Sequence, residues 1–192
     1  TEADLAPEFA LGRFCYNNDT EINNFINKVS YYLNNPIENE LLSSLFVGEY
    51  LWEGPTWGGD YMDEMIGGSS TNGHETVGVP TSWNISTLYE RDGNWTDVDI
   101  LNAISNGPNL INHLGHSNDD YNMKLYSYQV TDENITNNGE NHGFPIIFTQ
   151  GCYAGAFDSE DCITEKFTSI SHGAVSMISH SRYGWGQQGS TN

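Results

Sequence analysis

Short apolar runs alternate with helical patterns along this chain of 192 residues, and the alternation limits the folds that it can adopt. Strand-like runs occupy residues 9–16, 45–51, 83–89, 110–114, 145–149 and 174–179. Helical patterns follow Asp19 and Thr96 as N-caps and also cover residues 60–66 and 162–170. Strands that alternate with helices form a mostly parallel sheet between helical layers. The sequence therefore predicts an α/β sandwich, built as one domain over residues 1–192.

Parallel strands bring their carboxyl ends to one edge of a sheet, and ligands bind in the crevice at that edge. Glu49 stands near the end of one predicted strand, and His113 and His116 lie at the end of another. Cys152 follows a third strand, and residues 181–185 follow a fourth. We expect these residues to share one crevice.

The charge balance restricts the partners of the chain. Six Lys and Arg against 26 Asp and Glu give a formal charge of −20, which repels nucleic acid. The acidity is compatible with cationic substrates, with bound calcium or with a simply solvated surface. No apolar run is long enough for a membrane span, and the first residues lack the pattern of a signal peptide.

Three cysteines leave at least one thiol outside any internal disulfide. Cys15 lies in a strand-like run, where a free cysteine is usually a small buried apolar residue. Cys152 differs because Gly151 and Gly155 bracket it on a turn, where backbone amides can face a developing oxyanion. Cys152 is therefore the candidate nucleophile.

A thiol nucleophile needs a base, and the segment NLINHLGHSN at residues 109–118 offers two histidines. His113 lies within the apolar run, which predicts a packed supporting residue. His116 follows Gly115 on the loop beyond the strand, which makes it the candidate base. A zinc site of His113, His116 and Cys152 is the competing interpretation, although the spacing matches no common zinc pattern.

Four stretches in the same order resemble the gingipain-type, caspase-like cysteine peptidases of family C25. They are ALGRF at residues 10–14, GHS at 115–117, QGCYAGAF at 150–157 and AVSMISHSRYGW at 174–185. The resemblance implies a caspase-like three-layer sandwich with a mostly parallel sheet. Ser117 and Asn118 follow the histidine where the family usually has Gly-Ser.

Carried over to this sequence, the resemblance implies Cys152 as nucleophile and His116 as general base and acid. It implies that Glu49 orients the histidine, although a solvated strand-end carboxylate is the alternative. Amides at Gly115 and at Cys152, with the adjoining Gly151, are the implied oxyanion donors. The implied pocket residues are Asp60, Trp185 and Tyr183, with Asp60 otherwise an ordinary helix N-cap.

The resemblance implies a secreted cysteine endopeptidase that cleaves protein or peptide substrates after Arg or Lys through a thioester acyl-enzyme. A transpeptidase of the same family and a non-catalytic binding module are the alternatives. The chemistry requires no cofactor. Structural calcium is an expectation, with solvated loops as the alternative for the acidic clusters Asp158, Glu160 and Asp161, or Asp119 and Asp120.

Overall fold

The structure is a computed structural model that describes residues 11–71, 74–158 and 160–186. Its helices are α1 (Asp19–Asn34), α2 (Gly58–Asp63), α3 (Asp97–Ser105) and α4 (Ile163–Ser169). Its strands are β1 (Ser43–Gly48), β2 (Tyr50–Trp52), β3 (Thr56–Trp57), β4 (Ser69–Thr71), β5 (His74–Thr76), β6 (Asn84–Tyr89), β7 (Leu110–Leu114), β8 (Ser117–Asn118), β9 (Tyr121–Asn122), β10 (Leu125–Tyr126), β11 (Ile146–Thr149) and β12 (Ser176–Ile178). A short 3-10 helix covers Ser127–Gln129.

Five parallel strands form the central sheet in the order β12-β11-β7-β1-β6. Every residue of β1 is buried, as expected for a strand covered on both faces. Leu45 and Val47 face a core shared with α3 and α4, whereas Phe46 packs with Met62 of α2 on the other face. The predicted three-layer α/β sandwich is confirmed.

Most of the predicted elements are present within a few residues of their expected bounds. The strand predicted over residues 9–16 is wrong for residues 11–16, which form no strand, whereas residues 9 and 10 lie outside the described ranges. Leu11 is 97% exposed, and the Phe14 ring packs edge-on against Phe25 of α1 with 4.2 Å between ring centroids. Phe14 therefore packs against helix α1 and does not form part of a strand.

The predicted strand at residues 45–51 divides at Glu49 into β1 and β2. The Glu49 main-chain N–H donates to the Leu114 carbonyl at 3.0 Å, and its carbonyl accepts from the Gly58 N–H at 2.7 Å. These bonds turn the chain out of the central sheet and into the short β2-β3 hairpin. Glu49 is thereby fixed at the carboxyl end of the sheet.

Lys28 is the buried residue of α1, with no exposed surface. Its ammonium donates to the carbonyls of Thr168 at 2.8 Å and His172 at 3.0 Å, beside the end of α4. Burial lowers the pKa of Lys28 to about 7, and the negative charge of Asp132 opposes that shift. The side chain therefore joins α1 to the Thr168 carbonyl at the end of α4, which the helix leaves without a partner, and to the segment that follows it.

Lys28→Met should destabilise the protein by about 1–3 kcal/mol, because it leaves buried carbonyls without donors while preserving the length of the side chain. Urea unfolding followed by circular dichroism measures the change. Lys166→Met is the matched control, since Lys166 makes only a surface ion pair with Asp161 at 3.0 Å. Equal losses in the two variants would contradict the role given to Lys28.

Candidate active site

The carboxyl ends of β1, β7 and β11 converge on a buried polar network. Glu49 follows β1, His113 lies in β7, and Thr149 ends β11. The strand register places His113 beside Val47 on one side and beside Thr149 on the other. The predicted convergence of strand ends is therefore present, with polar side chains meeting below the surface.

Glu49 is 4% exposed and uses both carboxylate oxygens. Oε1 lies 3.2 Å from Nε2 of His113, and Oε2 accepts the main-chain N–H of His116 at 2.9 Å. The alternative of a solvated strand-end carboxylate is wrong. Glu49 contacts the main chain of His116 and not its ring, so the expected orientation of the histidine by Glu49 would act through the backbone.

Thr149 determines which ring nitrogen of His113 carries the proton. Its Oγ1 accepts from Gly151 N at 3.0 Å and from Asn122 Nδ2 at 3.0 Å, which occupies both lone pairs. The hydroxyl proton is then left for His113 Nδ1 at 2.8 Å. His113 consequently carries its own proton on Nε2 and donates it to Glu49.

Opposing effects act on the pKa of Glu49, and their net result is a lowered pKa. Burial is the largest single effect and raises it. Hydrogen bonds from His113 and from the His116 main-chain N–H, with an electrostatic contribution from each histidine when it is protonated, outweigh burial and lower it. Glu49 is therefore a carboxylate at neutral pH, and the network around it contributes to stability only while it is ionised.

Because the folded-state pKa lies below the ordinary value of 4.5, this stabilisation is complete above pH 4.5 and is lost as pH falls through the lowered pKa. At pH 7, Glu49→Gln should cost about 1.5–3 kcal/mol in the free energy of unfolding. The difference from wild type should shrink as pH falls from 4.5 towards 3. Urea unfolding across this range measures it.

Glu53→Gln removes an exposed carboxylate from the neighbouring hairpin and serves as the control. Its difference from wild type should stay within about 0.5 kcal/mol at every pH, as is usual for surface substitutions. A Glu49→Gln difference that did not depend on pH would contradict the ionised state assigned to Glu49.

His116 lies on the loop beyond β7, with its Nε2 atom 2.9 Å from the main-chain carbonyl of Leu51 in β2. A carbonyl can only accept, so Nε2 carries the ring proton. In the neutral imidazole, Nδ1 then holds the lone pair. The β2-β3 hairpin therefore supplies the group that orients the ring and sets its tautomer.

Cys152 lies in the turn after β11, and contacts from two other segments fix that turn. Its carbonyl accepts the Ser117 hydroxyl at 2.9 Å, and its thiol lies 3.7 Å from the Gly184 carbonyl. The next residue, Tyr153, has a φ of 59° and donates its N–H to the Arg182 carbonyl at 2.7 Å. A non-glycine residue rarely adopts this left-handed conformation, so surrounding contacts hold the turn in place.

Two glycines permit the close approach of these loops. A Cβ atom on Gly115 would overlap the Glu49 carboxyl group and Nε2 of His113. A Cβ atom on Gly151 would overlap the Ser117 side chain. Any larger residue at either position would separate the histidine loop from its supporting carboxylate or from the cysteine turn.

All three cysteines are free thiols. Burial is the leading cause that raises the pKa of Cys162 to about 12, and it also raises the pKa of Cys15. Both are poor nucleophiles near neutral pH, because the thiolate is the reactive form. Cys152 alone among them lines the cavity described next.

A cavity of about 490 Å³ opens at this edge of the sheet, within the range typical of small-ligand sites. Its described lining is Leu51, Trp52, Tyr61, Met62, Glu64, Met65, Thr76, Leu114, Gly115, His116, Gln150, Cys152, Gly184, Trp185 and Gly186. The structure thus brings four of the expected site residues, Gly115, His116, Cys152 and Trp185, to one cavity.

Two predicted pocket residues, Asp60 and Tyr183, make contacts outside the described lining, and their role in substrate binding stays a prediction. Oδ1 of Asp60 is 2.6 Å from Nη1 of Arg91, and Asp60 is absent from the described lining of the cavity. It is also not an N-cap, because α2 begins at Gly58 after Trp57. Tyr183 packs edge-on against Tyr153, 4.9 Å between ring centroids, and is likewise absent from that lining.

Metal ligands do not assemble in the described part of the chain, where no group of three or more His, Cys, Asp and Glu could hold an ion. The competing zinc site is therefore not formed, and His113 and His116 are engaged with Glu49 and Leu51. In the acidic clusters considered for calcium, Asp158 pairs with Arg182 and Asp161 with Lys166. Calcium remains a prediction without assigned ligands.

The sequence model of peptidase family C25 matches residues 1–192. The chain belongs to peptidase family C25. An uncharacterised protein of Archaeoglobus fulgidus is 23% identical over 177 residues, which are 82% of this chain and 40% of that protein. The present chain thus spans about two fifths of this relative. Across the described ranges, every helix is too short or too polar to span a bilayer.

Two solved structures share the fold. The Arg-specific cysteine proteinase gingipain R superposes with a TM-score of 0.68 at 19% identity, over 89% of this chain and 39% of that one. A complex of the pro- and mature domains of RgpB from Porphyromonas gingivalis superposes with a TM-score of 0.59 at 18% identity, over 85% of this chain and 38% of that one. The sandwich of this C25 chain is therefore caspase-like, as the resemblance implied.

Proposed function

We propose that this chain carries the catalytic centre of a cysteine endopeptidase. One observation carries the proposal: Cys152 and His116 line the same cavity, and the Leu51 carbonyl leaves Nδ1 of His116 as the basic nitrogen. Membership of peptidase family C25 supports it. Since Cys15 and Cys162 lie outside the described cavity lining, they do not compete for the role of nucleophile.

In the proposed reaction, Nδ1 of His116 takes the proton of the Cys152 thiol, and the sulfur attacks the scissile carbonyl carbon. Main-chain amides at Gly115 and Cys152 are the proposed donors to the oxyanion. Collapse of the tetrahedral intermediate breaks the C–N bond, and His116 returns its proton to the leaving amine. Water, deprotonated by His116, then hydrolyses the thioester and restores the thiol.

The proposed substrates are proteins or peptides with Arg or Lys before the scissile bond, acted on outside the cell or at its surface. The acidic chain, with a formal charge of −20, favours cationic partners. Gingipain R, which shares the fold, is described as Arg-specific. Trp185 forms part of the cavity wall on which such a peptide would lie, and bound calcium would serve only as a structural ion.

Hydrolysis of fluorogenic peptides with Arg, Lys, Asp or Asn at the cleaved position tests the proposal. Cys152→Ala and His116→Ala should each lower kcat/KM by at least about 10³-fold, because one lacks the nucleophile and the other its base. Cys15→Ala, the matched control, should leave kcat/KM within about twofold of wild type. Turnover retained in Cys152→Ala would overturn the assignment.

An arginyl chloromethyl ketone provides a readout that does not need turnover. Mass spectrometry should find one adduct per chain, on Cys152, and none in Cys152→Ala. Absence of an adduct on wild type would favour a binding module instead. If an added amine in place of water resolves the acyl-enzyme and appears in the main product, the chain is a transpeptidase.

A further inference from the structure

Trp52 is a large aromatic side chain on the wall of the cavity that holds Cys152 and His116. It is 37% exposed, and within the described ranges its side chain makes no ring contact and no hydrogen bond. Tyr50, two residues earlier in β2, instead packs edge-on against Trp57 with 5.2 Å between ring centroids. The indole of Trp52 is therefore open to a ligand in the cavity.

The main chain places Trp52 beside the proposed base. The carbonyl that lies 2.9 Å from Nε2 of His116 belongs to the peptide group that joins Leu51 to Trp52. Pairing of Trp52 with Thr56 holds this part of the β2-β3 hairpin together. Any substrate group that contacts the His116 imidazole within the cavity consequently lies close to Trp52.

The proposed reaction gives the bound peptide a direction. The scissile carbonyl carbon bonds the sulfur of Cys152, and the leaving nitrogen receives its proton from Nδ1 of His116. The residue after the scissile bond begins at that nitrogen, so it lies on the side of His116 and the β2-β3 hairpin. The Gly184 carbonyl, 3.7 Å from the thiol, and the adjacent Trp185 lie on the side of Cys152. Trp52 is thus an aromatic wall on the leaving side.

We propose that Trp52 binds the side chain after the scissile bond and gives the protein a preference for a large apolar residue there, such as Leu or Phe. The inference rests on the proposed function, because the proton donor determines which side the leaving residue occupies. Contact with the indole removes apolar surface of both side chains from water, which favours binding. A glycine at the same place offers the indole no side chain.

Binding of two peptides to the Cys152→Ala protein tests this contact without turnover. Both carry Arg before the scissile bond, and they differ in having Leu or Gly after it. Isothermal titration calorimetry should show tighter binding of the Leu peptide. Adding Trp52→Ala should weaken the affinity for the Leu peptide about tenfold and leave that for the Gly peptide within about twofold, because only the Leu side chain contacts the indole.

Tyr50→Ala is the matched control. Tyr50 lies in the same strand, is 36% exposed and is absent from the described lining of the cavity, so its removal should leave both affinities within about twofold. Equal losses in Tyr50→Ala and Trp52→Ala would indicate a disturbed hairpin and would overturn the proposal. Failure of either peptide to bind, or equal affinity for both peptides before Trp52 is changed, would also overturn it.

Trp52→Gln decides the question if Trp52→Ala does not fold. It keeps a side chain of intermediate length but removes the aromatic face, so we expect it to lose most of the preference for Leu. A preference equal to that of the unsubstituted background would contradict the contact with the indole.

Partition of the acyl-enzyme tests the leaving side in the protein with Cys152 present. An added amine bonds the thioester carbon, its proton passes through His116 to the departing sulfur, and the C–S bond breaks. The attacking amine then occupies the place of the leaving residue, so leucinamide should compete with water better than glycinamide does. Trp52→Ala should reduce this advantage about tenfold, and Tyr50→Ala should preserve it.

The two proposals fail separately. Absence of turnover on every peptide, with binding of the Leu peptide still dependent on Trp52, would defeat only the peptidase assignment. Turnover that requires Cys152 and His116 but shows no preference dependent on Trp52 would defeat only the assignment of Trp52.

Discussion

The buried Glu49 carboxylate is the constraint on which the arrangement of the site depends. It follows one strand of the central sheet, contacts a histidine in the next, and holds the main chain of the loop that carries His116. Thr149 extends the same network to the start of the cysteine turn through the Gly151 N–H. The carboxylate, the imidazole and the hydroxyl each form a hydrogen bond with another member of the network. These hydrogen bonds fix the relative positions of the buried side chains.

The buried members of this network support the site, whereas the residues of the proposed chemistry lie on the cavity. His113, Thr149 and Glu49 are all buried, so they fix the positions of the loops without meeting a substrate. His116 and Cys152 lie above them on the cavity, and each is adjacent to one end of the network. A buried support of this kind would allow the loop residues to keep the relative positions that the proposed general-base chemistry requires.

Much of the fold and the main site residues could be predicted from the sequence. Alternating apolar runs and helices with clear caps predicted the parallel sheet, and the rule about strand ends brought Cys152 and His116 together. The strand predicted at residues 9–16 is wrong for residues 11–16, where the Phe14 ring packs against Phe25 of α1 instead. The pairing of Asp60 with Arg91, 31 residues later, could not be predicted, because sequence spacing carries no information about such a long-range ion pair.

The contact between His116 and the Leu51 carbonyl is a backbone interaction, and this makes it insensitive to amino-acid replacement. Exchanging Leu51 for alanine would remove its buried side chain but leave the oxygen in place, so alanine scanning would report the packing of Leu51 and not this contact. The contact depends on the path of the β2-β3 hairpin, and insertions or deletions in that hairpin are the changes that would move the acceptor away from the ring.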